Sequence, residues 1–222
     1  MKNLQQFLEK CPCPVVGVSG GEGRKTVSKM VYLMMKEAER DVYLGNETGF
    51  EGGNADEDQA GYGVDRALDK LNKESWVVLD LAAMDLKDVT VSPHVAVIVG
   101  EADAQEDLDA LVNFVKLQKA EDFSVVSLDR PYGEKLQAES GAQKFPVSRT
   151  QAVTHGAHIE GPAIIFCAPG VCQMAGNVNK VLLKGENDQE NILAAVAVAR
   201  VLQIPIPAIQ KVLYTFEGDG QR

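Results

Sequence analysis

Apolar residues gather in short unbroken runs, separated by stretches of helical periodicity. Val15-Val16-Gly17-Val18 is one such run, followed at once by glycines. Trp76-Val77-Val78-Leu79-Asp80-Leu81 and residues 94–99 are others, and residues 41–44 and 123–128 also read as strands. Runs of this kind mark strands buried on both faces. Between them, residues 26–39 place Val27, Met30, Val31, Met34 and Ala38 on one helical face, and residues 64–72 read as a short helix. Residues 105–118 align Leu108, Leu111, Val112 and Val115 in the same way. Strands alternating with helices predict a parallel sheet with helices on both faces. After residue 140 the pattern changes to short β-like pieces near 144–147, 163–167 and 180–183, expected to form an antiparallel edge on that sheet. Two helices, 189–202 and 207–216, close the chain. Residues 45–62, rich in glycine and acids, read as a long loop. No repeat or low-complexity linker divides the sequence, so residues 1–222 read as one domain with 1–14 as a lead-in.

Charge and composition narrow the function classes. A formal net charge of −10 argues against a nucleic-acid partner, which requires clustered Lys and Arg. The acids concentrate in 47–65 and 101–109, the pattern of solvated surface stretches. No apolar run approaches the ~20 residues that span a bilayer, so a membrane partner is not expected. Met1-Lys2-Asn3-Leu4-Gln5-Gln6 lacks the apolar core of a signal peptide, and the expected compartment is the cytoplasm. Four cysteines occur as Cys11-Pro12-Cys13 and, five residues apart, Cys167 and Cys172. A four-cysteine zinc clip is one reading, but the first pair is tighter and the second looser than the usual spacing. Reduced thiols are the expectation for a cytoplasmic chain.

The main candidate chemistry follows the first strand. Ser19-Gly20-Gly21-Glu22-Gly23-Arg24-Lys25-Thr26 is a glycine turn between a strand and a helix. Such a turn aims backbone N–H groups and a helix dipole at one point and so favours an anion. It lacks the consecutive Gly-Lys-[Ser/Thr] of a Walker A loop, and a tight turn that binds nothing is the competing reading.

The arrangement as a whole resembles the central, ATP-binding domain of the Mur ligases, most closely the D-glutamate-adding members. Val18-Ser-Gly-Gly-Glu-Gly-Arg-Lys-Thr26 is similar to the family loop V-T-G-T-N-G-K-[ST]-T, and Asp41-Val-Tyr-Leu-Gly-Asn46-Glu-Thr-Gly49 to R-D-V-x-x-G-G-N-I-G. Residues 76–86 resemble the strand V-L-E-L-S-S-F-Q-L. Residues 182–199 resemble L-x-G-x-H-N-x-x-N-x-L-A-A-x-A-V-A, and the tail through Arg222 resembles A-I-x-x-A-L-x-x-F-x-G-L-x-H-R.

This resemblance implies an α/β fold of the P-loop/Rossmann-like type, with ATP and Mg²⁺ as cofactors and amide ligation in peptidoglycan precursor synthesis as the inherited reaction. It implies a nucleotide-binding set of Gly20, Gly21, Gly23, Arg24, Lys25, Thr26, Asn46, Asn191 and Arg222. Asp80 falls at the Mg²⁺-ligating Glu, and Lys119 at the carbamylated catalytic Lys, with Lys116 as its alternative.

The chain also departs from the family pattern. Arg24 stands where the phosphate-binding Lys belongs, Lys25 where the Mg²⁺-binding Ser/Thr belongs, and Ala104 at the metal-binding His. Asp80 also reads as a buried acid ending a strand, and Asn191 as a helix cap. The family's N-terminal UDP-sugar domain and C-terminal domain have no counterpart in 1–222. Two readings therefore stand. One is a Mur-type ligase domain, with a partner protein supplying the missing domains. The other is a catalytically silent relative kept for weak nucleotide binding or for contact with another protein.

Overall fold

The computed structural model describes residues 4–53, 62–102 and 104–218. In chain order the elements are α1 (Leu4–Lys10), β1 (Val15–Gly20), α2 (Arg24–Glu37), β2 (Val42–Asn46), β3 (Gly49–Gly52), α3 (Val64–Lys70), β4 (Trp76–Asp80), β5 (Val95–Val99), α4 (Gln105–Lys116) and β6 (Phe123–Val126). There follow α5 (Gly133–Glu139), β7 (Gln143–Lys144), β8 (Val147–Ser148), β9 (Gly156–Glu160), β10 (Ala163–Ala168), β11 (Val171–Asn177), α6 (Glu186–Val201) and α7 (Ile206–Thr215).

Seven strands form one sheet in the order β3-β2-β4-β1-β5-β6-β7. Every pairing in it is parallel except β2 with β3. The apolar runs are therefore buried on both faces: all five residues of β5 are inaccessible, as are the first five of β1. The expected α/β class and antiparallel edge are present. The edge, however, is β3, in the segment expected to be a loop. Tyr43 pairs with Gly52 and Asn46 with Gly49 across a tight hairpin. Phe50 anchors it, 1% exposed, with its ring 5.1 Å from that of Phe7.

The later strands do not extend this edge. They form a second sheet, β11-β10-β9-β8, joined to the first through the Ser127–Val147 bridge. Helix α6 lies between the two layers, and Ile192 through Ala199 are all buried. A helix covered on all sides needs small apolar residues all round, and the run Ala194-Ala195-Val196-Ala197-Val198-Ala199 supplies them. Residues 180–183 are not a strand; a 3-10 turn, Val178–Lys180, leads out of β11 instead.

Cys167 and Cys172 correct the expectation of four free thiols. They face each other across the β10–β11 hairpin and are joined as a disulfide, with Cα atoms 4.1 Å apart. Spacing along the sequence hid this, because the pairing depends on a hairpin that was not recognised. Among the described residues no helix is long and apolar enough to cross a membrane, and no cluster of three or more His, Cys, Asp or Glu is placed to hold a metal ion.

Candidate functional site

The glycine turn leaves β1 at its C-terminal end and enters α2, where parallel α/β sheets open their binding crevices. Gly20 has φ 112° and Gly23 φ 102°, a backbone that side-chain-bearing residues rarely adopt. The crowding is also steric. A Cβ on Gly20 would lie 2.1 Å from the Val99 carbonyl oxygen, and one on Gly23 would lie 2.2 Å from Asn191 Oδ1. Gly21 N donates to the Val99 carbonyl at 3.0 Å, which ties the turn to β5. Helix α2 begins its ladder with Val27 N donating to Gly23 O at 2.9 Å. The N–H groups of Arg24, Lys25 and Thr26 therefore precede the helix's own hydrogen bonds.

Asp80 ends β4, opposite Val18 of β1. Its Oδ1 lies 2.9 Å from Arg24 Nε, and its side chain is only 5% exposed. Beside this pair a cavity of ≈ 520 Å³ opens, lined by Lys25, Lys29, Asn46, Glu47, Glu51 and Asp80 among others. Asn46 Oδ1 accepts from Thr48 N at 2.8 Å and Thr48 Oγ1 at 2.6 Å, which shapes the β2–β3 turn at the cavity rim. The hairpin also brings acids to the helix. Lys25 Nζ is 3.2 Å from Glu47 Oε1, and Lys29 pairs with Glu51. Each basic residue along this face thus meets a carboxylate of the chain itself.

A second ionic cluster braces the other side of the turn. Glu190 of α6, 2% exposed, accepts from Gly100 N at 3.3 Å and from Arg130 Nε at 2.8 Å. Arg130 also donates to Glu101 at 3.0 Å and Asn187 at 3.1 Å, and Tyr132 Oη donates to the Gly100 carbonyl. The result is a hydrogen-bonded seat beside the glycine turn, with the Glu101 backbone against Gly21.

The structure thus gathers Gly20, Gly21, Gly23, Arg24, Lys25, Thr26, Asp80, Asn46 and Asn191 around one turn. It does not bring Lys119 there. Lys119 precedes β6, with its N–H 2.8 Å from Asp122 Oδ2, at the N-terminal edge of the sheet and opposite the turn. Lys116 ends α4 at that same edge, 3.2 Å from Glu139. The position that the resemblance implies for these lysines falls at the far edge because α4 runs back across the sheet. Arg222 lies outside the described residues.

Sequence reasoning missed Lys29, Glu47, Glu51, Arg130 and Glu190. The Lys25–Lys29 spacing of one helical turn was a usable signal. The Arg130–Glu190 pair, 60 positions apart, left none.

No family model matches the chain. Relatives are nonetheless clear. A UDP-N-acetylmuramoylalanine–D-glutamate ligase of Listeria monocytogenes serotype 4b is 28% identical over 219 residues, covering 94% of this chain and 45% of that protein. The Bacillus pumilus protein of the same name is 29% identical with the same coverage, and that of Clostridium novyi is 25% identical over 99% of this chain and 46% of its own length. The chain therefore spans slightly under half the length of these relatives.

Among solved structures, the UDP-N-acetylmuramoylalanyl-D-glutamyl-2,6-diaminopimelate–D-alanyl-D-alanyl ligase of Acinetobacter baumannii superimposes with a TM-score of 0.67. It shares 18% identity, and the match covers 96% of this chain and 48% of that one. A UDP-N-acetylmuramoyl-L-alanyl-D-glutamate–2,6-diaminopimelate ligase gives 0.67 at 15% identity. At these identities the structures speak for the fold, and the sequence matches carry the kinship. Taken together, they show a chain similar in sequence to the D-glutamate-adding Mur ligases and similar in fold to other Mur ligases.

Proposed function

We propose that the domain binds the phosphate end of a nucleoside triphosphate, ATP by kinship, at the turn from Ser19 to Thr26. The carrying observation is the junction of β1, the glycine turn and α2 beside the Asp80-lined cavity. Positive-φ glycines, early helix N–H groups and the cations Arg24 and Lys25 fit a phosphate. An arginine offers a forked, bidentate grip in place of a lysine's point charge. The Ser19 hydroxyl, buried at the start of the turn, has no hydrogen-bond partner among the described residues.

The fit to Mg²⁺ is poorer. A bound Mg²⁺ typically takes one or two carboxylates plus phosphate oxygens and water, and here Asp80 already holds Arg24. Lys25 cannot serve as a ligand while protonated. On this reading the parent reaction is ATP-dependent amide ligation in a cytoplasmic peptidoglycan-precursor pathway. Any share this chain takes in it needs the remaining half of the ligase, in the same polypeptide or from a partner.

A second reading has its own observation. The Arg24–Asp80 pair engages the two groups that ligation would use, so the domain can bind nucleotide without turning it over. Thermal denaturation separates the two readings. Stabilisation by ATP that increases with Mg²⁺ favours the ligase reading, since a ligand that binds only the folded state raises the melting temperature. Stabilisation that Mg²⁺ leaves unchanged favours the silent one. No stabilisation by millimolar ATP sinks both.

A further inference from the structure

A further concentration of reactive groups lies at the opposite edge of the sheet, just before β1. Cys11 and Cys13 have their Sγ atoms 3.5 Å apart. The segment is Cys11-Pro12-Cys13-Pro14. Each proline fixes its own φ, and each restricts the residue before it to extended backbone. All four positions are thereby confined, and the two thiols face each other without further ordering. The anchors on either side are firm. Cys11 N donates to Phe7 O at 2.8 Å, and Val77 N donates to Pro14 O at 3.2 Å. Cys13 is packed with Phe7, Val15 and Tyr43 in the core, whereas Cys11 is partly open to solvent.

We propose that Cys11 and Cys13 form a dithiol–disulfide couple that exchanges with small-molecule disulfides. Cys11, the accessible member, is the attacking thiol and Cys13 the resolving one. The Cys11 thiolate attacks one sulfur of the small disulfide, that S–S bond breaks, and the released thiolate takes a proton. Cys13 then gives up its proton and attacks the Cys11 sulfur, expelling the second small thiolate, which is protonated in turn. Two protein thiols are oxidised and one small disulfide is reduced to two thiols.

The protonation pattern supports this order. The hydrogen bond from Cys13 holds the Cys11 thiol below its usual range, despite the opposing effect of burial. The same hydrogen bond, burial and the nearby Asp41 charge push Cys13 up. The thiolate is the nucleophile in exchange, so the first attack falls to Cys11.

The test incubates the full folded chain, first reduced, with millimolar oxidised glutathione, then blocks free thiols and digests with trypsin. Lys10 and Arg24 bound one peptide, 11–24, that carries both cysteines. The expected result is that peptide lacking two hydrogens and resisting alkylation, with the closed fraction following the ratio of oxidised to reduced glutathione. Cys13→Ser should halt at a glutathione adduct on Cys11, raising that adduct from trace to near stoichiometric, and Cys11→Ser should leave Cys13 unmodified. Circular dichroism checks that both variants are folded. The proposal is overturned if the wild type keeps both thiols alkylatable while the reduced Cys167–Cys172 pair recloses. It is equally overturned if the wild type stops at a glutathione adduct with no internal bond.

Discussion

Arg24 Nε sits 2.9 Å from Asp80 Oδ1, so the first cation of the glycine turn is held by the acid that ends the neighbouring strand. A phosphate arriving at the turn must share Arg24 with Asp80 or displace it. Asp80→Asn should therefore tighten binding of Mg²⁺-free ATP by roughly fivefold, equivalent to about 1 kcal/mol. The same change should remove any Mg²⁺ dependence, and fluorescence titration with a labelled nucleotide reads both effects.

The acids of the β2–β3 hairpin compete in the same way. Glu47 and Glu51 face Lys25 and Lys29, and they repel the charge that the lysines attract. The double change Glu47→Gln, Glu51→Gln should raise triphosphate affinity by about twofold to tenfold, the scale of partly exposed ion pairs. The gain should shrink in high salt. An unchanged dissociation constant at low salt would show that the hairpin does not oppose phosphate.

Glu190 and Arg130 predict a contrast in stability. Breaking a buried pair leaves an uncompensated charge and costs about 3–5 kcal/mol. Arg130→Ala should approach the lower end of that range, since its side chain is 15% exposed and Glu190's only 2%. Lys25→Ala, at 55% side-chain exposure, should alter stability by no more than about 0.5 kcal/mol. Urea denaturation of the two variants side by side checks the order.

Gly20 and Gly23 should differ although both have positive φ. A Cβ at Gly20 meets the Val99 main-chain carbonyl, whereas at Gly23 it meets the end of the Asn191 side chain, which can move. Gly20→Ala should therefore destabilise the fold by about 2–4 kcal/mol and Gly23→Ala by about 1–2 kcal/mol. Gly23→Ala should still weaken nucleotide binding, because it narrows the turn. Melting curves with and without ATP measure both effects.

Asp129 supplies a pH dependence. Burial works to raise its pKa, but hydrogen bonds from Ser148 Oγ, Arg149 N and Thr150 Oγ1, with the Arg149 charge, prevail and lower it. A carboxyl depressed in the folded state contributes stability above its unfolded pKa, about 3.9, and loses it as pH falls through the folded value. Stability should therefore decline from just above pH 4 downward. Asp129→Asn should flatten that decline while costing stability at neutral pH, as urea midpoints between acid and neutral pH would show.

Much of the parallel sheet was legible because buried parallel strands are continuous apolar runs, and β4 and β5 fall almost where those runs lie. The helices 105–118 and 189–202 were readable from periodicity to within three residues at each end. Of the second sheet, β10 falls on the expected piece 163–167, but its separation from the first sheet and the strand β11 were not legible. Strand β11 reads Val-Cys-Gln-Met-Ala-Gly-Asn, mostly exposed at its start, and so presents no unbroken apolar run. The hairpin strand β3 hides in Gly-Phe-Glu-Gly, where one buried phenylalanine does the anchoring. At the site, the turn, Asp80 and Asn191 were legible from their order in the chain. The ion pairs Lys29–Glu51 and Arg130–Glu190 arise only once the chain is folded, because nothing local ties their members together.

The proposed ligand of the turn from Ser19 to Thr26 is a nucleoside triphosphate. Isothermal calorimetry of ATP with and without Mg²⁺ tests it most directly, comparing the unaltered chain with the Arg24→Ala, Lys25→Ala variant. The account predicts saturable binding to the unaltered chain, weakened at least tenfold in the variant. Absence of heat up to millimolar ATP, or equal binding by the two proteins, would contradict it.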